Sequence, residues 1–212
     1  MPRNPVILQS EFPYNISARC INREWFNIPM QIVWEICAEV LTKTCNEHDL
    51  RIHSFVLMTN HFHLIATTPE ANISQCMFQF VGLTSRKLAK EGNRINETFA
   101  GRHHKCILQN HNYYLNAYKY NYRNPVTAGI CNLVEDYPYS TFQSVLGRSK
   151  PIIPILEDTT FNFDPTGTLK WLNEKPDPEI QEAVRFGLRH QFFKSKKNPS
   201  LNKSILADNE TL

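Results

Sequence analysis

Residues 51–67 of this chain read RIHSFVLMTNHFHLIAT, and this stretch is the most informative one for the fold. β-branched, aromatic and other apolar residues dominate its two halves, which are separated only by Thr59 and Asn60. Two strand-forming runs joined by so short a connection are typical of an antiparallel β-hairpin. We therefore predict strands over residues 51–58 and 61–67, joined by a tight turn.

The segments on either side of this hairpin alternate between strand and helix patterns. Upstream, period-two alternation predicts a strand over residues 14–20, and helical periodicity predicts a helix over residues 30–43. Downstream, a helix is predicted over residues 73–92 and a strand over residues 105–109. The resulting β-α-β-β-α-β order predicts an α+β, ferredoxin-like fold, in which a four-stranded antiparallel sheet carries two helices on one face.

The remaining chain is predicted to add helical and irregular structure. A third helix over residues 110–123, ended by Pro125, could cover the open face of the sheet. The proline-rich chain that follows predicts an irregular, mostly wrapping extension, with a last helix over residues 178–190. We expect one domain over residues 1–130 and a C-terminal extension with a basic tail over residues 131–212.

The composition excludes several classes of protein. With 212 residues, 42% of them hydrophobic, the chain is long and apolar enough for a folded core. No run approaches the roughly 20 apolar residues of a membrane-spanning helix, and the N-terminus lacks the apolar stretch of a signal peptide. We therefore expect a soluble, cytoplasmic protein without a membrane partner. The six cysteines, widely spaced and without a CxxC pair, are expected to be reduced thiols, mostly in the core.

Positive charge is concentrated near the C-terminus. The net charge of +3 permits a polyanionic partner without requiring one. Residues 183–207 contain six basic residues and no acidic residue, which favours contact with phosphates, although a solvated and partly disordered terminus has the same composition. The basic residues of this tail are Arg185, Arg189, Lys194, Lys196, Lys197 and Lys203.

A His-x-His pattern lies inside the second strand of the hairpin. Because side chains alternate along a strand, His61 and His63 point to one face and Phe62 points to the other. Two imidazoles side by side on a rigid strand form half of a divalent metal site. The alternative is an ordinary exposed face of a hairpin.

The predicted third helix is rich in tyrosine. A tyrosine that attacks phosphorus needs a nearby metal, because a phenol with a pKa near 10 is a poor nucleophile. A helix crossing the histidine face would satisfy this requirement. Asn124 lies one turn after Tyr120, so it is either a third metal ligand or a cap of the helix before Pro125.

These motifs resemble those of a known family. Residues 55–64 resemble the metal-binding strand of the single-tyrosine HUH transposases, especially the REP-associated tyrosine transposases, and residues 120–130 resemble their nucleophile segment. The resemblance extends through residues 14–26, 99–108 and 136–142.

The resemblance implies a metal-dependent endonuclease and strand transferase that acts on single-stranded DNA with a hairpin, through a 5′-phosphotyrosine intermediate. Tyr120 would be the nucleophile, and His61, His63 and Asn124 would hold Mg²⁺ or Mn²⁺. The protein would act as a monomer or a homodimer. The residues expected to contact DNA are Arg19, Arg102, Lys105, Arg123, Lys194, Lys196 and Lys197.

Two other functions compete with this interpretation. The first is a non-catalytic module of the same fold that binds structured single-stranded nucleic acid through basic and aromatic residues. The presence of both histidines and of Tyr120 argues against it. The second is a metal-dependent hydrolase, which is disfavoured because no HxHxDH or HExxH motif supplies further ligands and a base.

Overall fold

The first half of the chain contains the predicted strands and helices in the predicted order. The computed structural model describes residues 6–93, 95, 98–99, 103–197, 204–206 and 211. Helix α1 continues past residue 43 because its buried face extends to Thr44, and it ends before Asp49, which is left-handed with φ 49°. The elements are β1 Tyr14–Arg19, α1 Met30–His48, β2 Arg51–Leu57, β3 His61–Thr67, α2 Ile73–Glu91 and β4 His104–Ile107.

The four strands form one antiparallel sheet in the order β2-β3-β1-β4. The hairpin turn is closed by the amide of Met58, which donates to the carbonyl of His61 at 2.8 Å. In the centre of the sheet Ile16 lies opposite Leu64, and Ser17 lies opposite His63. This topology confirms the predicted α+β, ferredoxin-like fold.

The first face of the sheet is an apolar core beneath α1 and α2. The strand residues Ile16, Phe62 and Leu64 are fully buried there. Phe62 packs against Phe55 and Phe80, with ring centroids 5.7 and 5.1 Å apart. Burial of such side chains supplies much of the free energy of folding, since each large apolar side chain contributes about 1.5–3 kcal/mol.

The second face of the sheet is covered by α3, His111–Thr127, as predicted. The helix begins at Asn110, whose side chain accepts a hydrogen bond from the amide of Tyr113 at 2.8 Å. Tyr118 and Tyr122 pack into a second buried cluster together with Ile65 of β3. Helix α3 therefore places its tyrosines against the strand that carries the two histidines.

The predicted end of α3 is wrong. Pro125 lies inside the helix, which continues to Thr127, and the amide of Ala128 donates to the carbonyl of Asn124 at 2.9 Å. A proline near the end of a helix removes a single backbone hydrogen bond, and the neighbouring turns are retained here. Asn124 is consequently not the cap of this helix.

The C-terminal part of the chain is more helical than predicted. Pro165 begins a helix instead of breaking one, and Pro178 begins the last helix as predicted. Proline is suited to the first helical turn, and the preceding aspartates cap the free amides. The last helix ends at Gly187, before the predicted end at residue 190. The helices are α4 Phe142–Val145, α5 Thr159–Phe163, α6 Pro165–Asn173 and α7 Pro178–Gly187.

The C-terminal residues complete the second cluster. Leu172, Val184 and Phe193 are buried against residues of α3 and of the sheet. The chain after α7 also runs beside the edge strand, where the amide of Phe193 donates to the carbonyl of Ile107 at 3.0 Å. Residues on both sides of the predicted boundary at residue 130 thus share one core cluster.

The structure also bears on the cysteines and on possible membrane-spanning helices. All six cysteines are free thiols, and Cys20, Cys37, Cys76 and Cys106 are buried. Within the described residues, no helix is both long enough and apolar enough to cross a membrane.

Candidate metal and nucleophile site

Strand β3 brings His61 and His63 together on the face covered by α3. Their ring centroids are 5.0 Å apart. Because directly opposite residues of an antiparallel pair share a face, Ser17 lies beside His63 and Arg19 lies beside His61. The predicted orientation of the His-x-His pattern is therefore the one observed, with Phe62 on the opposite face.

His63 is a buried polar side chain with unused hydrogen-bonding capacity. It is 9% exposed, and neither ring nitrogen has a hydrogen-bond partner among the described residues. Burial lowers the pKa of His63 well below its usual value, and the charges of His61 and Arg19 act in the same direction. The ring is therefore neutral at neutral pH, with a nitrogen lone pair available to a ligand.

His61 is held in one orientation by the residue before it. The amide nitrogen of Asn60 donates to the carbonyl of Arg23 at 2.8 Å, so its Oδ1 faces Nδ1 of His61 at 2.7 Å. This network assigns the proton to Nδ1 and leaves the lone pair on Nε2. Burial, followed by the charge of Arg19, lowers the pKa of His61 to about 4, so this ring is also neutral.

Tyr120 faces the histidine pair from α3. Its ring centroid is 5.9 Å from that of His63. Burial raises the pKa of the phenol, while the charges of Arg185 and Arg189 oppose that increase. Tyr118 and Tyr122 lie instead in the apolar cluster, where their hydroxyls contact Asp158 at 2.7 Å and Thr141 at 3.2 Å.

Asn124 is on the same side of α3 as Tyr120, one turn further along. Its Nδ2 donates to the backbone carbonyl of Tyr120 at 2.9 Å. This bond fixes the side-chain amide beside the phenol-bearing residue and leaves Oδ1 as the acceptor atom. Because the helix continues beyond it, Asn124 is not a cap, and its role as a ligand stays a prediction.

The donors available for a metal are few. Among the described residues, no three His, Cys, Asp or Glu side chains converge on a common point. A cation at this site would therefore take the two imidazoles and, for a third protein ligand, an amide oxygen such as that of Asn124. The unpartnered nitrogens of His63 fit such a cation, because buried polar atoms normally have a partner.

The predicted DNA-contacting residues are not all near this site. Arg19 is exposed at the end of β1, on the histidine face. Lys105 lies opposite Ile16 and is therefore on the other face of the sheet. Arg102 lies outside the described residues.

Arg123 corrects one of the expectations for DNA contact. It is 7% exposed, and its Nη1 donates to the backbone carbonyl of Leu172 at 2.8 Å. Burial lowers the pKa of this guanidinium, as expected for a cation withdrawn from water. Arg123 thus attaches α6 to α3 and is not available to a phosphate.

The lysines of the tail are exposed. Lys194, Lys196 and Lys197 follow the segment that runs along the edge of the sheet. Phe193 before them and Leu206 after them are buried in the second cluster, so these lysines are exposed side chains on a segment that packs against the core.

Several residues near Tyr120 were not predicted from the sequence. Asn60 orients His61, and the buried Asn121 donates to Asn15 of β1 at 2.8 Å, which fixes α3 beside Tyr120. Arg185 and Arg189 were assigned only to a basic tail, although they lie close enough to influence Tyr120. The positive charge of these arginines could have suggested a role near a phosphate. The contacts of the asparagines depend on tertiary structure and could not be predicted from the sequence.

Comparison with known proteins gives one family and one fold. Residues 13–122 match the model of the family described as transposase IS200 like. A solved REP-associated tyrosine transposase bound to a REP hairpin is similar, with a TM-score of 0.61, 20% identity, and coverage of 75% of this chain and 94% of that chain. A protein from Deinococcus radiodurans R1 assigned as a transposase has a TM-score of 0.38, 13% identity, and coverage of 61% and 94%. No curated protein matches the sequence significantly.

Proposed function

The chain belongs to the IS200-like transposase family, because the family model matches more than half of its length, and we propose a specific reaction for it. The protein is a single-tyrosine endonuclease and strand transferase of the HUH type, and it cleaves and rejoins single-stranded DNA. Tyr120 is the nucleophile, and the reaction depends on a divalent cation. The observation that supports this most strongly is the buried His63, whose two nitrogens are unpartnered beside the ring of Tyr120.

His61, His63 and Asn124 are the proposed ligands of the cation. Nε2 of His61, a ring nitrogen of His63 and Oδ1 of Asn124 form a mixed set of nitrogen and oxygen donors. Mn²⁺ suits such a set better than Mg²⁺, which prefers oxygen ligands. A divalent cation bound there would draw negative charge from an oxygen of the scissile phosphate.

The proposed chemical step is an in-line displacement at phosphorus. The phenol oxygen of Tyr120 loses its proton to water and forms a bond to phosphorus, while the bond from phosphorus to the 3′ oxygen breaks. The 3′ oxygen takes a proton and leaves as a hydroxyl, so the products are a 5′-phosphotyrosine and a free 3′ end. Attack by another 3′ hydroxyl reverses the step and joins two strands. The covalent bond conserves the energy of the phosphodiester, so no nucleotide cofactor is required.

Three arginines provide the proposed binding of the phosphate. Arg19 lies beside His61, and Arg185 and Arg189 contribute positive charge at Tyr120 from the C-terminal part of the chain. Charge-assisted hydrogen bonds from guanidinium groups hold phosphate oxygens in a defined geometry. Their charge also favours loss of the phenol proton, which burial opposes.

The proposed substrate is DNA with a hairpin and a single-stranded extension. Its support is the solved relative of the same fold, which is bound to a REP hairpin. The catalytic domain would span residues 1–130, and residues 131–212 would contribute Arg185, Arg189 and the exposed tail lysines to DNA binding.

The test of this function is covalent capture of hairpin DNA. Wild-type protein with Mn²⁺ should form a protein–DNA adduct that survives denaturation, and the Tyr120→Phe variant should form none while still binding DNA. Tyr122→Phe is the matched control, because it removes a phenol from the same helix but from the apolar side. An adduct with Tyr120→Phe, or wild-type cleavage undiminished in EDTA, would contradict the proposal.

A further inference from the structure

The connection between β1 and α1 presents an indole to solvent. Trp25 is 73% exposed, which is unusual for so large an apolar side chain. Its neighbour Phe26 turns inward and packs edge-to-face on Phe99, with ring centroids 6.2 Å apart. The anchoring of Phe26 therefore fixes the position from which Trp25 projects.

This connection is fastened to the hairpin turn that precedes His61. The amide of Cys20 donates to the carbonyl of Asn60 at 2.8 Å, and the amide of Phe26 donates to that of Thr59 at 3.0 Å. Asn22 and Arg23 adopt left-handed backbone angles, with φ of 55° and 59°. Non-glycine residues rarely adopt this conformation, so its presence indicates a backbone held in one arrangement by its surroundings.

The same connection is linked to the candidate metal site through Asn60. Its Nδ2 donates to the carbonyl of Arg23, and its Oδ1 contacts Nδ1 of His61. One side chain thus joins the backbone two residues before Trp25 to a proposed metal ligand. The backbone that carries Trp25 is therefore tied to the turn that orients His61.

The charges around Trp25 are suited to a polyanion. Arg19 and Arg23 are both exposed and flank the start of the connection. The same connection contains the carboxylate of Glu24, which the side-chain amide of Asn22 contacts at 3.5 Å. Both cations lie within six residues of the indole in sequence, a combination that suits a nucleic-acid strand.

We propose that Trp25 is a stacking platform for one unpaired base of the DNA substrate, next to the phosphate that is cleaved, with Arg19 and Arg23 contacting the flanking phosphates. Proteins that bind single strands combine a cationic groove with aromatic side chains on which bases stack. This inference rests on the proposed function for the identity of the substrate, but base stacking can be measured without cleavage.

The experiment is a double-mutant cycle between Trp25 and the DNA. In the Tyr120→Phe background, which prevents cleavage, affinity is measured for a hairpin with a single-stranded extension and for extensions in which each base in turn is replaced by an abasic residue. Trp25→Ala should weaken binding of the intact extension by about 5- to 150-fold, the range for the loss of one stacked base. One abasic position should weaken binding to Trp25-containing protein and have no further effect in Trp25→Ala.

Two variants serve as controls. Trp25→Phe should retain most of the affinity, because a smaller aromatic ring still stacks. Phe78→Ala removes another exposed aromatic ring, 84% exposed on α2, and should bind DNA normally. A melting temperature of Trp25→Ala equal to that of its parent would show that the loss is local.

Two results would overturn the proposal. One is unchanged affinity of Trp25→Ala for the extended hairpin, and the other is an equal loss of affinity for a hairpin without any extension. Failure of the proposed function is distinguishable, because it appears as wild-type protein that binds this DNA but forms no covalent adduct. The binding cycle would still decide the role of Trp25 in that case.

Discussion

The two faces of the sheet are built from the same strands but differ in what they bury. Towards α1 and α2, strand β3 contributes Phe62, Leu64 and Ala66 to a core of apolar side chains. Towards α3, the same strand contributes Ile65 to the second apolar cluster, and its first residues contribute His61 and His63, the latter packed against Tyr120. Neighbouring residues therefore sit in surroundings of opposite character.

The difference indicates which face serves stability and which serves chemistry. Burying a polar side chain without a hydrogen bond is destabilising by about 1–3 kcal/mol, and His63 has two such atoms. An apolar residue at that position would fold at least as well. Polar groups that do not benefit folding are expected where a protein binds or reacts, which supports the proposal that the histidine end of the second face is the functional one.

The largest effect on cleavage is expected for a substitution of His63 in β3. His63→Ala should reduce cleavage to background, because a single remaining imidazole cannot fix a cation at the phosphate. The free energy of unfolding should fall by less than for Phe62→Ala, since the loss of two buried, unpartnered nitrogens offsets part of the lost packing. His53→Ala is the control, because this histidine of β2 contacts Thr67 and not Tyr120. Normal cleavage by His63→Ala would remove the functional distinction between the faces.

A substitution of Phe62, the neighbour of His63, should lower stability and leave cleavage unchanged. Phe62→Ala should lower the free energy of unfolding by about 3–5 kcal/mol, because it leaves a cavity among Phe55, Phe80 and Phe99. At a matched fraction of folded protein, the cleavage rate should remain near that of wild type. Denaturant unfolding combined with single-turnover cleavage measures both quantities. A loss below about 1 kcal/mol would contradict the assignment of this face as the stabilising core.

A third prediction concerns Asn124, one turn after Tyr120 on α3. Asn124→Ala should raise the Mn²⁺ concentration required for half-maximal cleavage by about 10- to 100-fold, as for other groups that support a metal site. Asn124→Asp should require no more metal than wild type, because it retains an oxygen donor. Titration of cleavage against Mn²⁺ distinguishes ligation from stability. An unchanged requirement in Asn124→Ala would leave only the hydrogen bond to Tyr120 as its role.

The smallest effect is expected in the tail, outside both faces. Replacing Lys194, Lys196 and Lys197 with serine should reduce the slope of log affinity against log salt by about 2, because each phosphate contact to single-stranded DNA contributes about 0.7. Serine substitution is preferable to truncation from residue 193, since Phe193 belongs to the core. The rate of cleavage at saturating DNA should not change. An unchanged slope would mean that these lysines are only solvated.

The sequence predicted most of the face under α1 and α2 but only part of the face under α3. Alternation predicted β1, and a run of strand-forming residues after a short connection predicted β3. The His-x-His spacing predicted that two imidazoles share a face. These are local properties, because they depend on residues two or three positions apart. The β-α-β-β-α-β pattern predicted the four-stranded antiparallel sheet.

What could not be predicted depends on residues distant in sequence. The bond between Asn121 and Asn15 and the burial of Arg123 under Leu172 arise only when α3 and α6 have packed. Local rules also misled at Pro125, since proline usually ends a helix but here lies within the last turn. Tertiary packing, which local propensity does not report, decided each of these cases.

Tyr120, beside the two histidines on the α3 side of the sheet, is the proposed nucleophile. The most direct measurement is mass spectrometry of the adduct formed by wild-type protein, Mn²⁺ and hairpin DNA with a single-stranded extension. Trypsin releases residues 120–123 as one peptide, which contains both Tyr120 and Tyr122. We predict that fragmentation places a 5′-phosphonucleotide on Tyr120, with Tyr122 unmodified. A modification on Tyr122 or on a residue outside this peptide, or the absence of any adduct while the DNA is bound, would contradict the account.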